Sequence, residues 1–320
     1  MSRSLRALLG GGLCVWLAAS PRAARPAHAS SDPALRAVVL GIAQDGGVPH
    51  IGCTQPLCVR ARRDCSRHQR VACLGLVDDH AHQRFLIDAT PDIASQIESL
   101  NQGRALADPR RPVDGILLTH AHIGHYAGLM YLGREALGAH AVPVYATPRM
   151  AAFLRASGPW SQLVALGEIE LRELVPGREV VLTPSLSATA VLVPHRNELS
   201  DTVGYVVRGP AASVLYVPDV DKWEGWDRRV EDEVAKVSVA FLDGTFSSAD
   251  EVPGRSMAEI PHPLVSETEA RLGAVADRVV FIHLNHTNPL LWDERARREL
   301  GQRGFSVAHD GRVVSLEARR

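Results

Sequence analysis

The chain has 320 residues, of which 46% are hydrophobic and 22% charged, with a formal net charge of −1. This is the balance of a globular protein with ample core; it excludes a disordered, collagen-like or coiled-coil chain. Near-neutral charge also excludes a polyanion-binding surface spread over the whole molecule.

Residues 1–29 read as a secretory signal peptide. "MSRSLR" is positively charged, Ala7 to Ala19 is apolar, and Ala27, His28 and Ala29 form a small-x-small site with cleavage after Ala29. The apolar run is too short to span a bilayer comfortably. The alternatives are an uncleaved N-terminal anchor or a cytoplasmic chain. Leu13 stands before Cys14 where a lipoprotein site wants a small residue. The signal carries Arg3, Arg6, Arg22 and Arg25 and no acid, so the remainder, 30–320, is a more acidic single domain. Export places it in the periplasm or outside the cell, with no stable membrane insertion and no nucleic-acid partner.

Strands rich in Val and Leu are expected at 36–43, 71–79 and 84–89. A long Gly/Pro/Cys loop, 44–70, separates the first two, and a loop of that length is functional or pinned. Its basic stretch "VRARRDCSRHQR" meets either solvent or an anionic substrate. Thr90 and Pro91 start a helix to Leu100, and "GILLT" (115–119) is a buried strand. A helix follows through "GLMYLGREAL", then a strand at 142–146 and a second Thr-Pro helix start at Thr147. Five strands lie between about 169 and 217. The last third alternates: helix 225–236, strand 237–244, helix near 263–275, strand 279–283 and helix 289–302. Two β-rich halves finished by helices predict an α/β fold with helices outside two packed sheets.

The chemistry concentrates in "ILLTHAHIGHYAGLM" (116–130), which sets His120, His122 and His125 within six positions at a strand end. Residues two apart on extended chain face one way, so His120 and His122 can grip one ion, and His125 returns after a glycine turn. Imidazole is the commonest zinc ligand and suits iron as well. Further candidate ligands follow later strands: His195 after "AVLVP", Asp219 after "SVLYVP", and His283 and His286 in "VVFIHLNHTNP".

These residues, in this order, resemble the metallo-β-lactamase superfamily. "LGIAQDGGVPHIGC", "LIDATPD", "LTHAHIGHYAGL", "VPHRNE", "YVPDVD", "FLDGTF" and "HLNHTNPLL" are similar to its coenzyme PQQ synthesis protein B branch. The resemblance implies a four-layer αββα sandwich with metal between the sheet edges. It implies one metal on His120, His122 and His195, and a second on His125 and His283 with Asp219 bridging. The superfamily's second-metal aspartate falls at Gly124. That implies one ion, a weakened second ion, or a substituted ligand such as His286, which is otherwise a proton donor. Asp219 and His286 are therefore the catalytic candidates. The expected cofactor is one or two Zn²⁺, with Fe²⁺ as the alternative.

Cys53, Cys58, Cys65 and Cys73 follow the spacing C-x4-C-x6-C-x7-C, which departs from the branch's tight C-x-C-x-x-C structural zinc motif. Four thiolates can hold a zinc, an oxidising compartment favours two disulfides, and free thiols are the third outcome. Asp92 and Asp243 are candidates for orienting metal histidines, and Asp45 with Gly46 and Gly47 for a turn bordering the pocket. Trp160, Trp223 and Trp226 either wall the site or fill the core.

The leading expectation is a metal-dependent hydrolase acting on a small molecule. The resemblance implies a PQQ precursor, for which hydrolytic, oxidative and carrier roles are all candidates. A non-catalytic carrier of a quinone-like molecule, or an iron-dependent oxygenase, is the alternative. A phosphodiesterase of the transfer-RNA-processing type fits poorly with an acidic chain lacking a long basic arm.

Overall fold

Fourteen strands fall into two seven-stranded sheets among the described residues of a computed structural model, which are 32–251 and 260–318. The residues expected to form the signal peptide lie outside them. The first sheet runs β14-β1-β2-β3-β4-β5-β6: Val313–Ser315, Leu35–Gly41, Cys73–Asp78, Gln83–Ile87, Gly115–Leu117, Val142–Ala146 and Ile169–Glu173. The second runs β13-β12-β11-β10-β9-β8-β7: Ser306–Val307, Val279–Ile282, Val239–Asp243, Ser213–Val217, Val203–Arg208, Leu186–Leu192 and Glu179–Thr183. Each sheet is antiparallel on one side and parallel on the other. In the first, parallel pairing begins at β3–β4, and in the second at β10–β11.

Side-chain alternation separates the layers. In the first sheet Leu74, Leu76, Phe85, Ile87 and Leu117 face inward to join Tyr205, Leu215 and Phe241 of the second. Their neighbours Cys73, Val77, Leu86 and Ile116 point outward under helices α2 (Ile93–Leu100), α4 (Pro148–Ala156) and α5 (Trp160–Ala165). Helices α6 (Val230–Ala235), α7 (Val265–Leu272) and α8 (Glu294–Gln302) cover the second sheet with Val234, Leu272 and Leu300. The short α1 (Pro56–Ala61) lies in the long loop, and α3 (Ile123–Tyr126) in the histidine segment. This is the αββα sandwich expected. Among the described residues no helix is long and apolar enough to cross a membrane.

Several element boundaries differ from expectation. Thr147 caps α4, its side chain accepting from the Met150 amide at 3.2 Å, with Pro148 at the first turn. The matching start at Thr90 fails: α2 begins at Ile93 because Thr90 instead donates to Gln96 and accepts from the Asp92 amide. The helix expected through 128–137 is a four-residue α3 and a 3₁₀ segment, Ala127–Leu132. The helix at 225–236 shortens to α6, behind a 3₁₀ turn at Trp223–Gly225. The helix at 289–302 divides at Asp293, whose carboxylate caps α8. Trp223 and Trp226 are core residues, bonding Thr268 Oγ1 and the Leu192 carbonyl, and Trp160 packs on Tyr126 outside the site.

The two sheets are stitched where the site lies. Ile42 and Gln44, just past β1, exchange backbone hydrogen bonds with Leu284, just past β12, at 2.8 and 2.9 Å. Tyr205 Oη donates to the Leu118 carbonyl at 2.7 Å, and the Val203 amide to that of Thr119 at 3.0 Å. These bonds bring the ends of β1, β4, β9 and β12 to one rim.

Candidate metal centre

Most acids and imidazoles of the rim follow the C-terminal end of a strand or end it. Asp45 follows β1, Asp88 β3, His120 β4, His195 β8, Asp219 β10 and His283 β12, while Asp243 closes β11. Asp88 and His283 adopt left-handed backbone, at φ 75° and 64°. Such conformations cost roughly 1–3 kcal/mol in non-glycine residues and persist where surrounding bonds over-determine them.

Two groups of donors form. In the first, ligand atoms of His120, His122, His195 and Asp219 all lie within 4.8 Å of one another. Asp219 Oδ2 is 3.3 Å from His120 Nε2 and 3.2 Å from His195 Nε2, and His122 Nδ1 is 3.2 Å from His195 Nε2. In the second, Asp45, His125 and His283 converge, and Asp219 Oδ2 is also 3.8 Å from His125 Nε2. Asp219 thus stands between the two. A third grouping takes Asp219 from the first, His283 from the second, and adds Asp243.

Each ring is aimed by its other nitrogen. Thr119 Oγ1 lies 3.0 Å from His120 Nδ1, Asp88 Oδ2 2.8 Å from His125 Nδ1, Asp221 Oδ1 2.9 Å from His195 Nδ1, and Thr245 Oγ1 3.0 Å from His283 Nδ1. This is the pattern by which proteins orient metal-binding imidazoles. The inward atoms, Nε2 of His120, His125 and His283 and Asp45 Oδ1, are buried and have no hydrogen-bond partner. Buried polar atoms are almost always satisfied, so a cluster of orphans facing one point fits a cation.

Charge leads to the same conclusion. Burial disfavours the charged form of His125, but Asp88 and Asp45 outweigh it and push the imidazole well above its ordinary pKa. Burial and then the neighbouring His125 push His120 well below. Asp219, though fully buried, is held well below the carboxylate range by His262 and by its bonds to His120, His122 and His195. These acids favour positive charge in the rim, which a divalent ion would supply.

Other expected residues fall elsewhere. His286 is in neither group: its ring stacks on His50 at 4.2 Å between centroids. It lines a cavity of about 690 Å³ with Gln55, Arg60, Glu251 and Trp292, and no residue of the donor groups lines that cavity. Asp92 contacts no metal histidine; its carboxylate accepts from the Val71 amide at 2.8 Å. Asp88, four residues earlier in the same "LIDATPD", takes that part. Asp243 lies close, accepting from Thr245 and Val220 amides while meeting His262 Nδ1 at 2.8 Å. His262, absent from the sequence reading, also lies 3.3 Å from Asp219 Oδ1. Burial opposes its charge, but Asp243 and then Asp219 raise its pKa to about 9. Of the residues the sequence did not single out, Asp88 and Asp221 carried a signal, as acids at strand ends inside motifs already noted, and His262 carried none.

The cysteines assemble neither a four-thiolate site nor disulfides: all four are free thiols and none joins a metal-competent group among the described residues. Cys73 is wholly buried on β2, its Sγ near the Asp88 carbonyl, while Cys65 is exposed. A strand-core position cannot also reach a surface turn. The loop is held instead by Arg62, which bonds the carbonyls of Cys53 and His50 at 2.6 and 2.8 Å. Arg70 of the same basic stretch pairs with Asp310, and Arg67 with Asp64, so the stretch mostly ties the loop down.

The sequence model of the family described as "Beta-lactamase superfamily domain" matches residues 83–284. Coenzyme PQQ synthesis protein B of Methylorubrum extorquens (strain PA1) is 28% identical over 311 residues, covering 88% of this chain and all of the relative. The protein of the same name from Cupriavidus necator is 28% identical over 312 residues, covering 87% of this chain and 98% of the relative. The crystal structure of Zn²⁺-bound PqqB from Methylobacterium extorquens superposes with a TM-score of 0.73 at 25% identity, over 88% of this chain and 100% of that one. A diphosphatase of the PhnP family shares the fold, with a TM-score of 0.62 at 22% identity, over 88% and 96% of the two chains. Fold, donor order and family match agree: the chain belongs to the metallo-β-lactamase superfamily and is similar to coenzyme PQQ synthesis protein B, with residues suited to a divalent metal.

Proposed function

We propose that the protein is a metal-dependent hydrolase of a small ester, lactone, amide or phosphodiester. The observation that carries this is the first donor group, whose four ligand atoms lie within 4.8 Å of one another with buried, unpartnered nitrogen among them. A divalent ion in such a site polarises a carbonyl or phosphoryl oxygen and lowers the pKa of water to about 7. The chain's own part is positional. Asp219 stands among the imidazoles with its Oδ2 toward both donor groups, while His262, itself held by Asp243, faces its Oδ1 from behind. His122 is the least buried histidine of the group, so the rim opens to solvent on its side, next to Glu198.

The relatives' names make a quinone-cofactor precursor the first substrate class to try. A small molecule is placed in the cavity lined by His286 and Arg60, where Arg60 offers a cation. Zinc is the preferred metal, after the Zn²⁺-bound relative, with Fe²⁺ as the competitor. Residues 1–29 point to export, with the periplasm or exterior as the site of action.

Metal analysis of the purified protein tests this reading, together with hydrolysis assays on ester, lactone, amide and phosphodiester probes loaded with Zn²⁺ or Fe²⁺. The expected result is bound transition metal, lost in His120→Ala/His122→Ala, and turnover of at least one probe. A protein that binds metal and turns over no probe overturns the hydrolase and favours a carrier.

A further inference from the structure

Gly124 stands where this superfamily's pattern calls for an aspartate, and the space in front of it is not empty. A Cβ built on Gly124 would lie 2.7 Å from Asp45 Cγ and 2.8 Å from Asp45 Cα, and closer still to Asp45 Oδ1. The Asp45 carboxylate therefore fills the volume that a side chain at 124 would occupy, and any residue larger than glycine there would collide with it.

We propose that Asp45 supplies from the β1 loop the metal-facing carboxylate that position 124 lacks, completing a second cation site with His125 and His283. The proposal rests on the metalloprotein reading above and adds a ligand and a stoichiometry to it.

Asp45 Oδ1 is 3.4 Å from His125 Nε2 and 3.6 Å from His283 Nε2. All three atoms are buried and without a hydrogen-bond partner, and His125 and His283 have no exposed surface. The separations are long for hydrogen bonds. They match neighbouring ligands of one ion: donors about 2.1 Å from a tetrahedral centre lie about 3.4 Å apart. The opposite nitrogens are engaged, His125 Nδ1 by Asp88 and His283 Nδ1 by Thr245, so each Nε2 is committed to the interior. Asp219 Oδ2, 3.8 Å from His125 Nε2, is placed to be shared with the first group.

Asp45 is held there by backbone. The Ile42–Leu284 and Gln44–Leu284 hydrogen bonds lock the chain just before Asp45 to the chain just after His283. Beyond it the turn is closed by the Gly47 amide donating to the Gln44 carbonyl at 2.8 Å, with Gly47 at φ +61°. The carboxylate thus reaches the site from a segment far from the histidine motif, and glycine at 124 is the opening that admits it.

The test is metal stoichiometry on the whole protein, by elemental analysis after loading with excess Zn²⁺ and desalting, with affinities from chelator competition. The wild type is expected to hold two equivalents per chain. Asp45→Asn, which keeps the volume and removes the charge, should hold one, its second affinity weakened at least tenfold. Gly124→Ala, which acts from the opposite side by displacing the carboxylate, should do the same, and circular dichroism melts verify that each variant is folded. Two equivalents with unchanged affinity in either folded variant overturn the proposal. A wild type with one equivalent overturns it while leaving the metalloprotein reading intact; a wild type with none overturns both.

Discussion

Asp88 and His125, neither with exposed surface, meet at 2.8 Å between Oδ2 and Nδ1, while Asp88 Oδ1 accepts from both the amide and the hydroxyl of Thr119 at 2.8 Å. One carboxylate at the end of β3 therefore fixes both the start of the histidine segment and the orientation of its last ring. Replacing Asp88 by Asn retains an oxygen for Thr119 but removes the charge facing His125. The expected result is a folded protein with metal affinity lower by about 10–100-fold, the usual cost of losing such a partner. Competition with a chromophoric chelator measures it, and unchanged affinity would deny Asp88 any orienting role.

Gly128 packs its Cα against the chain after β3. A Cβ there would lie 2.9 Å from the Ala89 carbonyl oxygen and closer still to that of Thr90, both backbone atoms that cannot rotate away. Gly128→Ala is expected to destabilise the protein by about 1–3 kcal/mol through overpacking. Urea denaturation gives the value, and a midpoint equal to wild type would refute the packing argument.

The thiols should divide by accessibility. Burial raises the Cys73 thiol well above its ordinary pKa, and its position in β2 denies entry to reagents, whereas Cys65 is exposed. An aromatic disulfide reagent at neutral pH should label Cys65 in the native protein and Cys73 only after denaturation. Mass spectrometry of the digest identifies the sites. Absence of any reactive thiol in the denatured, unreduced protein would mean the disulfides that this structure lacks.

Asp79 couples stability to pH away from the metal centre. Burial raises its carboxyl, but the hydrogen bond from Arg36 at 2.6 Å and the charge of Arg84 outweigh burial and leave it below its ordinary value. A carboxylate depressed in the folded state contributes its stabilisation above the unfolded pKa of about 3.9 and loses it as pH falls through the folded value. The stability gap between wild type and Asp79→Asn should therefore be constant near neutrality and shrink below about pH 4. A gap unchanged down to pH 3 would show that the ion pair contributes nothing.

Much of this was legible in the chain itself. Apolar runs with local spacing located the strands, and His120, His195, Asp219 and His283 each lie at the end of an apolar run, so strand ends and donors were read together. Asp92 is the candidate that its place near a strand end suggests, but Asp88 is the residue that meets His125. The true partner depends on which of two nearby acids faces a histidine on another strand. His262 had no local signal, lying between prolines in "IPHPLV" and reaching Asp219 only after folding. The cysteine spacing left three outcomes open because spacing does not say which cysteine a strand will bury.

By itself, the sequence determined two β-rich halves finished by helices and most of the donors, because hydrophobic periodicity and residues at strand ends are properties of contiguous chain; the family and its sandwich were legible through the resemblance of its motifs. The tertiary structure decided what Gly124 means. A missing side chain reads as a missing ligand until the backbone bonds of Ile42 and Gln44 to Leu284 bring Asp45 into the same space. That pairing joins segments from opposite ends of the domain, so no window along the chain contains it.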